Sequence, residues 1–136
     1  MAELLTAMDG APNIRECIRR LLNAALDIHF NEDKPGGCLV ALSVLESEQL
    51  DVQSRVQMQQ TIHELKSALQ TRLMRAKKAG ELPQDSDSAA TATTIATAMT
   101  GMTVVGKANV SRAALKKTVD QVVCLLRWPD AARQTG

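Results

Sequence analysis

Ser88–Gly106 reads SAATATTIATAMTGMTVVG and holds no charged side chain. Ile95, Met99 and Met102 recur at helical spacing on one face, with Thr93, Thr97, Thr100 and Val104 on the other. Asp85 and Asp87 sit just ahead, where the positive end of a helix dipole favours acids. The spacing predicts a helix. A helix on the surface of a monomer would carry charge on its outer face, so this one is expected to be sandwiched between its own core and a second surface. It is not expected to span a membrane, because it is crowded with Thr and Ala and has no Leu.

Helical periodicity extends outward in both directions. Punctuation at Gly10–Pro12, Lys34–Gly37, Gly80–Pro83, Lys107–Asn109 and Pro129 divides the chain into segments of helical length. Downstream, Ser111 can cap a helix whose stripe is Leu115, Val119, Val122, Val123 and Leu126; Pro129 ends it, and Ala131–Gly136 reads as a frayed tail. Upstream, a long segment from Asp51 to about Ala79 carries the stripe Met58, Ile62, Leu65, Leu69, Leu73 and Ala76, with Gly80 as its stop. Asn13 with Glu16 has capping-box spacing and precedes the stripe Ile14, Cys17, Ile18, Leu21, Leu22, Ala25 and Ile28. Cys38–Leu45 is apolar nearly all round. It reads as a helix buried on every side, a buried strand being the rival for so short a run. Met1–Asp9 reads as the end of a helix whose beginning is missing. The expected fold is all-α, an antiparallel bundle of about six helices forming one domain over residues 1–136.

Composition removes several functions. The net charge of +1 and the lack of basic runs leave no electrostatic footprint for duplex DNA. Phe30 and Trp128 are the only aromatics, too few to stack single-stranded bases. Cys17, Cys38 and Cys124 are an odd number at wide spacings. They read as buried free thiols of a cytoplasmic protein rather than a disulfide framework. His29 and His63 lie on different helices without a second ligand one turn away, so no metal or other cofactor is expected. Gly36–Gly37 lacks the remaining glycines and lysine of a phosphate loop and reads as a turn. No paired acids or catalytic triad are evident, so no enzymatic activity is expected.

Three stretches in order resemble the C-terminal domain of the tetracycline-repressor (TetR) family of bacterial transcriptional regulators. They are Pro35-Gly36-Gly37-Cys38-Leu39 through Leu45-Glu46; Ala76 through Ala79-Gly80-Glu81-Leu82-Pro83 with Asp85 and Asp87; and Gly101-Met102-Thr103-Val104 through Ser111-Arg112-Ala113-Ala114-Leu115. The resemblance covers nearly the whole chain. It implies a ligand-sensing and dimerising domain, in which a small, mostly apolar effector alters DNA binding by a helix-turn-helix head absent from this chain.

On that reading the ligand pocket is expected among Leu42, Leu45, Met58, Ile62, Leu65, Met99, Met102 and Thr103. Arg55 is either a polar anchor for the ligand or a side chain that snorkels to water. A two-fold homodimer is expected through Ala96, Thr97, Thr100 and Val104 of one helix and Leu115, Val119, Val122, Val123 and Leu126 of the next. The alternative is a stand-alone helical interaction module without a ligand.

Overall fold

The computed structural model describes residues 2–31 and 51–129. Five helices are found there and no strand: α1 (Ala2–Met8), α2 (Ile14–His29), α3 (Val52–Lys78), α4 (Ser88–Lys107) and α5 (Arg112–Leu125). Cys38–Leu45, the segment expected to form a further helix with Leu42 and Leu45, lies outside the described residues.

Helix α2 is the hub. Ile14, Cys17, Ile18, Leu21 and Leu22 recur every three or four residues and are at most 1% exposed. Through this stripe α2 packs against α1, α3, α4 and α5. The surrounding helices answer with Leu69, Leu73 and Ala76 of α3, Ala92 and Ile95 of α4, and Leu115, Val119 and Val123 of α5, all buried in one continuous core. Ala76 and Ala92 are small, which lets α3 and α4 approach closely along their lengths.

Each helix end has a local cause. Asn13 caps α2 by accepting the Glu16 amide at 2.8 Å. The capping box is only half formed, however. The Glu16 carboxylate turns to Arg19 and Arg20, and the next open donor, the Ile14 amide, is taken at 2.8 Å by Glu81 from the α3–α4 connection. Glu81 also faces Arg72 at 3.9 Å. Gly80, at φ +79°, ends α3 in a Schellman turn closed by Glu81 N–H to Ala76 O and Gly80 N–H to Lys77 O. Asp87 caps α4 by accepting from the Ala90 amide. Asn109, at φ +68°, performs at the end of α4 the turn that glycine performs after α3. Ser111 caps α5. Beyond α5, the Trp128 indole donates to Val123 O at 2.8 Å beneath the Arg15 guanidinium, and one Arg127 Nη donates to both carboxylate oxygens of Asp85. Arg112–Asp27 and Arg19–Asp120 tie α5 to α2 along their exposed edges.

His29, the last residue of α2, lies against the backbone of α4 at Gly106. A Cβ placed on that glycine would overlap His29 Nε2, so any other residue there forces the imidazole to move. Burial first, and the Lys107 ammonium second, hold the imidazole pKa below its usual 6.5.

Two outcomes follow from this packing. Glu81→Ala should lower stability by about 1–2 kcal/mol in chemical denaturation, because it strands the Ile14 amide. Glu16→Ala, which loses only exposed ion pairs, should stay within about 0.5 kcal/mol. Equal losses would place the helix start on the wrong acid. The second concerns pH. The fold favours neutral His29, so the unfolded chain takes up its proton first as pH falls through about 6.5. Stability is therefore complete above that pH and declines below it. Denaturation midpoints should drop between about pH 7.5 and about pH 5.5, and His29→Gln should flatten that slope. An unchanged slope in the variant would defeat the assignment.

Candidate functional site

Between the helices lies a cavity of about 550 Å³. Leu4 of α1 and Ala25 and Ile28 of α2 form one wall. Thr61, Ile62, Leu65 and Lys66 of α3 form a second, and α4 supplies Thr93, Ala96, Thr97, Met99, Thr100, Gly101 and Thr103. The periodicity that makes α3 and α4 amphipathic or uncharged also makes this surface apolar, because both helices turn their Leu, Ile and Met rows inward.

The polar groups of these walls are of one kind. Five threonine hydroxyls border the cavity, and each donates its proton to the carbonyl one turn earlier: Thr61 to Gln57, Thr93 to Ala89, Thr97 to Thr93, Thr100 to Ala96 and Thr103 to Met99, at 2.7–3.3 Å. Such back-bonding leaves a hydroxyl with lone pairs to offer but no proton. Lys66 is the only charged side chain among the described lining residues.

Of the expected pocket residues, Ile62, Leu65, Met99 and Thr103 line this cavity together. Met102 is buried in the core but is not among the lining residues. Arg55 is exposed on the first turn of α3, outside the lining. The side chain of Met58, like Leu42 and Leu45, is outside the description. Three residues allotted to a dimer face, Ala96, Thr97 and Thr100, line the cavity instead of sitting apart from it.

Leu115, Val119 and Val123 require correction as interface residues. They are at most 1% exposed within the single chain, because these three residues turn into the core against α2. Val104 and Val122 and the post-helical Leu126 are half-buried, while Leu125 is fully out at 73% exposure.

The cysteines also divide. Cys17 is buried 3.7 Å from Met8 O, and burial outweighs Arg72 and Arg20 to push its thiol pKa up, which disfavours the reactive thiolate. Cys124, expected to be buried, is exposed because it falls beside the α5 stripe rather than on it. Cys38 lies outside the described residues. His63 is exposed on α3, and among the described residues no cluster of three or more His, Cys, Asp or Glu could hold a metal. No helix there is long and apolar enough to cross a membrane.

A second cleft, of about 520 Å³, was not anticipated from sequence. It lies between α1, the Gly10–Ala11 turn and the polar side of α3, where Ser67, Thr71, Arg72 and Arg75 face Asp9. Arg72 and Arg75 are three residues apart beside the Leu69–Leu73 stripe, a spacing visible in the sequence.

Comparison with known proteins places this geometry. The sequence profile of the family described as tetracyclin repressor-like, C-terminal domain, matches residues 15–122. The TetR-family transcriptional regulator CifR, solved as cysteine mutants complexed with 26-base-pair double-strand operator DNA, superposes with a TM-score of 0.78. Identity in the two CifR structures is 29% and 30%, over 93% of this chain and 65% of theirs. A TetR transcriptional regulator from Chloroflexus aurantiacus J-10-FL shares the fold at a TM-score of 0.79 and 16% identity, over 90% of this chain and 62% of its own. The chain thus spans about 65% of the length of the regulators it matches first. Among curated proteins no match is found. With its profile match covering most of the described helices and its fold shared with TetR regulators, the chain belongs to the tetracycline-repressor-like family of transcriptional regulators, as a C-terminal domain.

Proposed function

We propose that this domain senses a small, mostly apolar effector and forms a two-fold homodimer, and that the effector thereby controls DNA binding by a head domain outside this chain. The observation that carries the reading is the apolar cavity bounded by α1, α2, α3 and α4. A cavity of this size, with few polar groups, suits a ligand of aliphatic or mixed character. Met99 and Leu65 adapt their shape with little strain, so the walls can close on ligands of differing outline. CifR, the relative solved on operator DNA, supports the coupling of such a domain to DNA. A ligand changes the placement of the heads only if it binds one arrangement of the dimer more tightly than another.

Support for the dimer comes from the outward faces. Thr94 is exposed on α4 beside the cavity-bordering Thr93, Thr97 and Gly101 without a charge among them, and α5 and the residue after it leave Leu125, Val122 and Leu126 wholly or partly uncovered. Small side chains on one helix and aliphatic ones on the next permit close packing of two helix pairs into a four-helix bundle.

Two experiments test this reading. In a thermal-shift screen of aliphatic acids, alcohols and amines, a binding compound should stabilise the protein by about 2.7 kcal/mol at a hundredfold excess over its Kd. Met99→Trp, or Ala96→Leu at the rim, should fill the cavity and abolish that shift; a full response in both variants would place the site elsewhere. Light scattering at micromolar concentration should give twice 14.7 kDa. Val122→Glu should halve that mass without unfolding the chain, since Val122 is only half-buried. A monomeric wild type would overturn the dimer.

A further inference from the structure

We propose that the cavity selects a single-chain aliphatic anion, a monocarboxylate, whose carboxylate sits on Lys66 and whose chain runs between Ile28, Leu65 and Met99. The inference rests on the sensing role proposed above and names the chemical class of the effector.

The argument is an inventory of protons. A ligand atom that accepts hydrogen bonds in water loses them on entering an apolar cavity and must find donors there. The cavity walls on α2, α3 and α4 lie past the first turn of each helix, so their backbone amides are already bonded within the helix; only Leu4, in the first turn of α1, keeps an amide outside such a ladder. The five threonines have given their protons to carbonyls of their own helices. Lys66 is the one charged donor among the described lining residues. Its ammonium carries three protons, and among the described residues it has neither an ion-pair nor a hydrogen-bond partner. The residue is half-buried, with its aliphatic stem available to the apolar wall and its ammonium at the end of it.

Three head groups on one alkyl chain are therefore separated by the site. A carboxylate accepts charge-assisted hydrogen bonds from Lys66 and relieves its unpaired charge. A hydroxyl can donate to a threonine oxygen but gains no charge pairing. An ammonium finds threonine lone pairs and is repelled by Lys66. The tail is aliphatic because the described walls hold no aromatic ring to stack on, and Leu4, Ile28, Ile62, Leu65 and Met99 supply aliphatic and thioether surface.

The test is calorimetric titration of the whole chain with decanoate, decanol and decylammonium, each below its aggregation concentration. Decanoate should bind at least tenfold more tightly than decanol, and decylammonium most weakly. Lys66→Met, which keeps the aliphatic stem, should weaken decanoate at least tenfold and leave decanol unchanged. Lys66→Arg should retain the preference. Met99→Trp should abolish binding of all three, which separates occupation of the cavity from adsorption elsewhere. If decanol equals decanoate, or Lys66→Met changes decanoate less than twofold, while Met99→Trp still abolishes binding, the anion assignment falls and the sensing role stands. If none of the three binds wild type, or Met99→Trp binds them as wild type does, both fall together.

Discussion

Helix α2 touches every other described helix, and the arrangement depends on its burial. A stripe five residues wide, from Ile14 to Leu22, leaves almost no surface to water. Truncating one such leucine to alanine typically removes about 2–5 kcal/mol, a large part of the stability of a domain this size. The burial brings an obligation. The first amides of α2 have no partner within the helix, and those near the core cannot rely on water. Asn13 meets part of the need locally by taking the Glu16 amide, and Glu81 takes the Ile14 amide from a distance of 67 residues in sequence. The start of α2 therefore fixes where the α3–α4 connection must lie. That connection is a Schellman turn at Gly80, and it sets the approach of α3 to α4 and so the two long walls of the cavity.

Most of this was legible in the sequence because the signals are local. The stripes of the long helices, the caps Asn13 and Ser111 and the stop at Gly80 all stand where periodicity and turn chemistry put them. The partner of Ile14 was not legible, since nothing near Glu81 in sequence distinguishes an acid that caps a remote helix from one that is merely wet. Glu16 had the right spacing for a capping box, yet its carboxylate found Arg19 and Arg20 one turn on. Spacing licenses a contact, and competing partners decide it. The break read at Lys107–Asn109 also stands, with Asn109 making at the end of α4 the left-handed turn that Gly80 makes after α3.

The site was partly legible for a related reason. Ile62, Leu65, Met99 and Thr103 belong to apolar rows, and rows that face each other across two packed helices line whatever space remains between them. Lys66 was missed because it stands one residue off the α3 stripe, where a helical wheel assigns water. A cavity does not respect the edge of the stripe, since its walls include residues on the flanks of both helices. The ligand and partner faces expected on α4 share residues at the cavity, since Ala96, Thr97 and Thr100 line it. A helix has 3.6 residues per turn, so Ala96 and Thr100 flank Met99, whereas Thr97 stands nearly opposite it and borders the cavity all the same. On α5 the expectation was in error. Its widest apolar row was assigned to a partner, although a helix closing a small bundle must first cover its own core, and Leu115, Val119 and Val123 do so.

The overlap on α4 bears on how the proposed sensing would work. Thr93, Thr97 and Gly101 line the cavity and are also exposed, so one helix is at once a cavity wall and part of the outer surface. A ligand that separates α4 from α3 by a fraction of an ångström would displace the surface on which the proposed second copy would pack, with no relay of side chains between. Packed interfaces tend to be bistable rather than continuously deformable, so a small displacement can change which of two dimer arrangements is preferred. The size of the response is bounded by the difference in ligand affinity between the two arrangements: a shift from about 1:99 to about 99:1 needs about 5.5 kcal/mol. Aliphatic contact is nearly indifferent to small rearrangements of its surroundings, whereas a charge-assisted hydrogen bond depends on donor distance and direction. In this domain the aliphatic walls would then supply affinity, and the head group held by Lys66, on the helix facing α4, would supply the discrimination between arrangements that sensing requires.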